Sequence, residues 1–334
     1  MTNVGIIGFG YWGPNLVRNF ASQKNCKVIA VADGRKERLE KVEQLYPNVQ
    51  VVLDADDLIL NESIDAVIIA TPVFTHFPLA KKALLNGKHV LLEKPMASSV
   101  AECEELIALA KEKNLTIMVD HTFLYTGAVE KMKELIDADT VGKVKYIDST
   151  RINLGLFQPD VNVLWDLAPH DLSILSYLHN EKPYSVNATG VCHTGNGIEN
   201  IAFLTVNYAS GFVAHFNCSW SSPVKVRMMM VGGDKKMIVF NDLEPTEKIK
   251  VYDTAYELKT DEDKNRILVD YRVGDIFLPK VANKEALASV ANDFIESITN
   301  NTQPRSSAAI GLDIVKILEA SEKSIKNKGV EVIF

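Results

Sequence analysis

The chain has 334 residues, a length that suggests two domains. Hydrophobic residues make up 47% and charged residues 24%, ordinary values for a globular protein, and the formal net charge is −7. An acidic chain with no basic run offers no electrostatic footing for nucleic acid or for an anionic membrane, so neither is expected as a partner.

The four cysteines, Cys26, Cys103, Cys192 and Cys218, are never within four residues of one another. CxxC metal or redox spacing is therefore absent, no metal is expected, and buried free thiols in a reducing cytoplasm are. The opening MTNVGIIGFG lacks a basic region and its apolar run breaks at glycines, unlike a signal peptide. No apolar stretch approaches the ~20 residues a membrane helix needs.

The first 120 residues alternate between two periodicities. Val4–Ile7, Val28–Ala32, Ala66–Ala70, Val90–Leu92 and Thr116–Val119 are short apolar runs, as expected of buried parallel strands. Between them, residues 12–23, 35–45, 73–86 and 99–113 carry apolar positions at helical spacing, with Ser98 or Ser99 as a cap for the last. This alternation predicts a doubly wound parallel sheet over about 1–122.

From about residue 123 the pattern changes. Helices are predicted at 125–138 and 165–179 and a strand at 144–153. Successive strands follow at 185–194, 199–208, 211–219, 224–232 and 236–241, which implies a mostly antiparallel sheet with one open face. Residues 242–283 read as a polar loop or edge excursion. Helices at 284–300 and 306–327 close a second α/β domain over 123–334, and the last is expected to pack back on the first domain.

Gly8-Phe9-Gly10-Tyr11-Trp12-Gly13 is G-x-G-x-x-G, following an apolar strand and opening a helix, and Asp33 lies 20 residues beyond Gly13. That is the context of a dinucleotide site. The glycines allow a tight turn, close approach of backbone to pyrophosphate, and close helix–strand packing, while the helix N-terminus faces the phosphates. A carboxylate at Asp33 accepts ribose hydroxyls and favours NAD, and Arg35 keeps NADP open.

Catalytic candidates stand at strand ends. Thr71-Pro72 follows one strand with His76 shortly after, and Glu93-Lys94-Pro95 follows the next. A lysine projecting from a strand end suits general acid/base or hydroxyl-orienting work, the alternative being a solvated loop lysine. A proline directly after it fixes the backbone. Asp166 and His170 are four apart and share a helical face, so the carboxylate can orient the imidazole that takes a hydroxyl proton, or the two are a cap and a buried histidine.

Together, Gly8–Gly13, Thr71-Pro72, Glu93-Lys94-Pro95 and Asp166-x-x-x-His170 resemble the Gfo/Idh/MocA oxidoreductase family across the whole chain. The resemblance implies that Lys94 contacts the reacting hydroxyl, that His170 is the acid/base with Asp166 near the same carbon, and that Thr71, Pro72, His76 and Glu93 line the nicotinamide half of the cofactor. It also implies a sugar, cyclitol or nucleotide-sugar substrate and a homodimer or homotetramer formed through the open sheet face. Ala168 stands where the family often has Gly, Asp171 comes early with Ser173 at the usual place, and His121–Tyr125 replaces a segment that usually carries Arg.

His121–Tyr125, Arg151–Gly155 and Asn162–Ile174 are similar to the branch of UDP-N-acetylglucosamine 3-dehydrogenases, which implies oxidation at C3 of a UDP-N-acetylhexosamine. Arg151 and Asn153 are then candidates for pyrophosphate or sugar contacts, Arg151 being equally a strand residue in an ion pair. Tyr125 and Trp165 are candidates for stacking, or for packing. The rival expectations are an inositol or free-monosaccharide dehydrogenase and, from a different class, a non-catalytic NAD(P)-binding sensor.

Overall fold

The computed structural model describes residues 1–253, 255–257, 270–272 and 274–334. By compactness the chain forms two units, Met1–Tyr125 with Glu285–Lys316, and Thr126–Lys284 with Ile317–Phe334.

The first unit holds a six-stranded parallel sheet in the order β3-β2-β1-β4-β5-β6. Its strands are β1 (Thr2–Ile7), β2 (Cys26–Ala32), β3 (Gln50–Val52), β4 (Ala66–Ile69), β5 (His89–Glu93) and β6 (Ile117–Asp120). The connecting helices are α1 (Gly13–Ala21), α2 (Lys36–Leu45), α3 (Ala55–Ile59), α4 (His76–Leu85) and α5 (Val100–Glu112). Every residue of β4 and β6 is buried, as helices on both faces of a parallel sheet require. Each fully buried Ile68 or Ile69 side chain contributes roughly 1.5–3 kcal/mol. Ser99 caps α5 by accepting from the Glu102 amide, and Glu102 returns a bond to the Ser98 amide, a reciprocal cap. β3 and α3, only 3 and 5 residues long, carry too little pattern to be seen in sequence.

The second unit holds α6 (Gly127–Asp137), α7 (Val163–Leu178) and a nine-stranded sheet. The sheet contains β7 (Val144–Leu154), β8 (Ser185–Val191), β9 (Ile201–Asn207), β10 (Val213–Ser219), β11 (Ser221–Gly233), β12 (Met237–Asn241) and β13 (Ile249–Tyr252). After β14 (Ala255–Glu257) and β15 (Asp270–Arg272), which pair with each other, come β16 (Ile276–Phe277) and, at the chain end, β17 (Val332–Ile333). All the pairings in this sheet are antiparallel except β7 with β10. Burial alternates residue by residue along β9, β10 and β12, so one face is packed and the other is open.

One expectation is sharpened and another changes here. The polar stretch 242–283 contains β13 and β16, which extend the sheet edge, with residues 254, 258–269 and 273 outside the described residues. The helix expected at 284–300, α8 (Ala286–Asn300), lies in the first unit with Glu285–Lys316 and not in the second domain. Phe294 meets Phe20 edge-on with centroids 6.3 Å apart, and Glu285 takes Arg18 through bonds of 3.1 and 2.5 Å. The final helix, α9 (Ala308–Lys326), begins in the first unit and ends in the second. Among the described residues no helix is long and apolar enough to cross a membrane.

Candidate active site

The glycine turn explains itself when a side chain is imagined at each position. A Cβ on Gly8, whose φ is +98°, would sit 2.5 Å from the Ala70 carbonyl oxygen at the end of β4. A Cβ on Gly13 would sit 2.4 Å from the Gly8 oxygen. Gly10 differs, since its Cβ would meet only the tip of Arg35, 3.9 Å away. Two glycines are thus demanded by the fold and the third keeps a space clear in front of the backbone. Trp12 begins α1 without any side-chain cap, and Pro14 in the first turn has no N–H to satisfy. An uncapped helix start beside a cleared turn is the arrangement a pyrophosphate fits. Tyr11 and Trp12 are exposed there and meet edge-on at 5.4 Å.

Asp33 follows β2. Its Oδ2 accepts from the Phe9 amide at 2.8 Å, and its two oxygens take the Arg35 guanidinium at 2.9 and 3.0 Å. Burial pushes this carboxyl up, but the Arg35 side chain and the Phe9 and Arg35 amides outweigh it, and the group lies below its ordinary value. It stays ionised, as ribose recognition requires. Arg35 is drawn onto that carboxylate rather than left as a separate cation.

The ends of β4, β5 and β6 carry the next group. Thr71 hydrogen-bonds the Thr75 hydroxyl at 2.6 Å, and Pro72 is exposed beside it. His76, expected along the cofactor, is buried instead as a strut. Its Nε2 lies 2.9 Å from the Thr71 carbonyl and its Nδ1 2.9 Å from the Pro95 carbonyl. It therefore ties the loop after β4 to the loop after β5. The Lys94-Pro95 bond is cis. Glu93 ends β5 in register with Asp120 at the end of β6. Burial raises both carboxyls, and Asp120 raises Glu93 further. The Thr122 hydroxyl donates to Asp120 Oδ1 at 2.7 Å, while Asp120 Oδ2 and both ring nitrogens of His121 are buried with no hydrogen-bond partner among the described residues. Burial and the Lys94 ammonium push His121 down to about 3, so its ring is neutral. Asp120 and His121 were not singled out as site residues from sequence. The signal for Asp120 was present as a second acid at the end of the neighbouring strand.

In the second unit, Asn162 caps α7 by accepting from the Leu164 and Trp165 amides at 3.1 and 3.3 Å. Asp166 and His170 lie one turn apart on this helix, both half-buried. Pro169 between them lacks the N–H that would bond the Trp165 carbonyl, a local break in the helix next to the imidazole. Trp220, at the end of β10, donates its indole N–H to Asp166 Oδ2 at 2.9 Å and holds that carboxylate in place. Sequence reasoning missed Trp220, since nothing in the chain near it marks the role.

Three substrate candidates turn out to be interior. Arg151 is buried, with its guanidinium forked onto both oxygens of Asp171 at 2.9 and 2.6 Å. The ion-pair alternative therefore holds for it, in the core rather than at a surface, and the early Asp171 is its partner. Tyr125 is buried in the first unit, donating to Asp293 at 2.6 Å and accepting from the Ser306 amide. Trp165 is buried in the second unit. Packing, not an open stacking surface, describes both rings. Asn153 remains half-buried on β7, two residues beyond Arg151 and on the same strand face.

A parallel sheet in this order, a cleared glycine turn and an ionised acid after β2 define an NAD-binding protein of the Rossmann class. Residues 2–121 match the model of the oxidoreductase family with an NAD-binding Rossmann fold, and residues 129–239 match the GFO/IDH/MocA C-terminal domain. The chain belongs to the Gfo/Idh/MocA family and is an NAD-dependent oxidoreductase.

Among its relatives is the 2,7-anhydro-N-acetylneuraminate hydratase of Escherichia coli K12, 26% identical, covering 80% of this chain and 73% of that protein. Another is the UDP-N-acetylglucosamine 3-dehydrogenase of Acidithiobacillus ferrooxidans, 30% identical over 64% of this chain and 66% of that protein. The solved UDP-N-acetylglucosamine 3-dehydrogenase from Acidithiobacillus ferrooxidans superposes with a TM-score of 0.83 at 22% identity, covering 98% of both chains.

Proposed function

We propose that this protein oxidises one hydroxyl of a sugar to a ketone, at C3 of a UDP-linked N-acetylhexosamine. The observation that carries the reading is the Asp166–His170 pair, an acid and an imidazole one turn apart on α7 with the acid held by Trp220. An imidazole is the side chain best suited to take a hydroxyl proton near neutral pH, and a fixed carboxylate stabilises the imidazolium that results. Lys94, at the end of β5, supplies the cation that stabilises oxygen charge as the proton leaves. Bound NAD supplies the hydride acceptor. Gly10, the uncapped start of α1 and Asp33 hold its adenine and pyrophosphate portions.

The substrate class rests on the similarity to a UDP-N-acetylglucosamine 3-dehydrogenase. A ketone at C3 suits a following transamination in amino-sugar synthesis for lipid A or polysaccharide. The open face of the nine-stranded sheet, which exposes Tyr146 and Phe203, joins copies into a homodimer or homotetramer in the cytoplasm. Sedimentation of the protein checks that assembly.

The test of the substrate is absorbance of NADH with NAD and UDP-N-acetylglucosamine, with an aminotransferase and glutamate added to draw off the ketone. Signal with the UDP sugar and none with free N-acetylglucosamine supports the reading. Signal with myo-inositol or a free monosaccharide alone would assign the protein to polyols or free sugars. NAD binding without turnover on any sugar would indicate a sensor.

A further inference from the structure

Like-charged side chains seldom share a buried site, and the ends of β5 and β6 bring two together. Adjacent parallel strands in register place side chains of paired residues on the same face, about 5 Å apart. Glu93 and Asp120 are such a pair, and Asp120 is 2% exposed. Two carboxylates this close in a poorly hydrated place do not both ionise readily, and the pair titrates as one unit.

The groups around them come from four elements. Lys94 continues from β5 and donates its amide to Glu93 at 3.3 Å. Thr122 and His121 follow β6, the hydroxyl donating to Asp120 and the imidazole neutral. His76 of α4 is buried, with both ring nitrogens against backbone carbonyls, and burial lowers its pKa. From the segment before α9, Ser306 bonds the Val119 carbonyl, and Arg305 lies over Tyr125, 5.0 Å from the ring centre. Lys94 is thus the cation that acts on Glu93, and one cation balances one negative charge, not two.

The position of the pair relates to the dinucleotide. In a doubly wound sheet of order 3-2-1-4-5-6 the ligand lies across the carboxyl ends of the strands, one half over β1–β3 and the other over β4–β6. Asp33 marks the ribose of the adenine half, so the nicotinamide half belongs over the ends of β4–β6. Asp120 Oδ2 and His121 are the orphaned buried polar atoms there.

We propose that Glu93 and Asp120 hold a single proton between them in the free protein, release it to solvent when the cationic, oxidised nicotinamide binds, and keep it when the neutral, reduced form binds. Asp120 is then a positioning residue that sets the charge beside Lys94. After hydride acceptance the pair regains one proton, the number that oxidation of one hydroxyl liberates. The inference rests on the NAD-dependent reading and extends it to residues outside the acid–imidazole pair.

The experiment is calorimetric titration of NAD and of NADH into the full chain near pH 7, in two buffers of different ionisation enthalpy. The wild type is expected to release a proton fraction approaching one with NAD and close to none with NADH. Correspondingly, the ratio of NAD to NADH affinity rises with pH, by up to about tenfold per unit. Asp120→Asn, an isosteric change, is expected to bind NAD without the release and with a flat ratio, and Glu93→Gln to do the same.

Carboxyl carbon resonances, followed by NMR against pH without cofactor, give a second readout. One carboxyl should titrate far above the ordinary range in the wild type and at a lower pH in Asp120→Asn, where burial still raises Glu93 but its like-charged neighbour is gone. Equal proton release by wild type and Asp120→Asn, or no carboxyl titrating above the ordinary range, overturns the proposal. Absence of NAD binding heat with the raised carboxyl still present would instead remove the NAD-dependent reading and the cofactor-driven release, leaving the shared proton established.

Discussion

Each unit holds a pair of charged side chains in or at the edge of its interior, and the two pairs are opposites. In the second unit Arg151 and Asp171 are unlike charges, 4% and 6% exposed, joined by two short bonds. In the first, Glu93 and Asp120 are like charges in register at neighbouring strand ends, with Asp120 Oδ2 and the His121 ring left without partners among the described residues. The first arrangement is what a core needs: desolvation of two ions is offset by a forked guanidinium–carboxylate contact. The second works against stability and persists at a place where a ligand would meet it. Buried charge therefore has two meanings in this molecule, and the degree to which partners satisfy one another separates scaffold from site.

The contrast makes predictions of decreasing size. The largest effect is expected at the chemical groups. His170→Ala and Lys94→Ala should each lower turnover by about 10²–10⁴-fold with little change in melting temperature. Near-normal turnover in both would remove them from the chemistry. Next, Asp171→Ala should cost about 3–5 kcal/mol in denaturant unfolding, because it strands a buried guanidinium. Asp120→Asn should be neutral or stabilising in the same assay, since it removes a like charge. If the two substitutions cost the same, the distinction between the pairs fails.

A smaller effect is expected at the glycine turn. Gly10→Val should weaken NAD binding by at least about tenfold while leaving the melting temperature unchanged, because its side chain enters space the protein does not use. Gly8→Val should lower the melting temperature, since a Cβ there strikes the Ala70 carbonyl at a positive φ. The smallest effect concerns pH. A carboxyl whose folded pKa is raised binds its proton more tightly folded than unfolded. Its contribution is therefore complete below the unfolded value and is lost as pH rises through the folded one. The Glu93–Asp120 pair should make wild-type stability fall on going from pH 4 toward 8, measured relative to Asp120→Asn. Parallel stability curves for the two proteins would contradict that sign.

Much of this was legible in the sequence, because the decisive features are local. Gly8, Gly10 and Gly13 with Asp33 lie within 26 residues, and strand–helix alternation around them specifies the sheet. Asp166 and His170 are visible at helical spacing. What stayed hidden depends on contacts distant in sequence. Arg151 looks like a strand cation until Asp171, twenty residues on, is seen to clamp it. Trp220 reaches Asp166 across 54 positions. The membership of α8 in the first unit follows from Phe20 and Arg18 meeting residues more than 260 positions away. Asp120 was missed because its meaning comes from register with Glu93 on the next strand.

The central claim is that hydride leaves a sugar carbon of a UDP-linked substrate for NAD. UDP-N-acetylglucosamine deuterated at C3, incubated with the protein, NAD and the ketone-consuming aminotransferase, tests it by mass spectrometry of the recovered nicotinamide cofactor. The account predicts NADH heavier by one deuterium, in step with formation of the aminated sugar. Reduced cofactor without deuterium would contradict oxidation at C3, and unreduced cofactor with substrate intact would contradict oxidation of this sugar altogether.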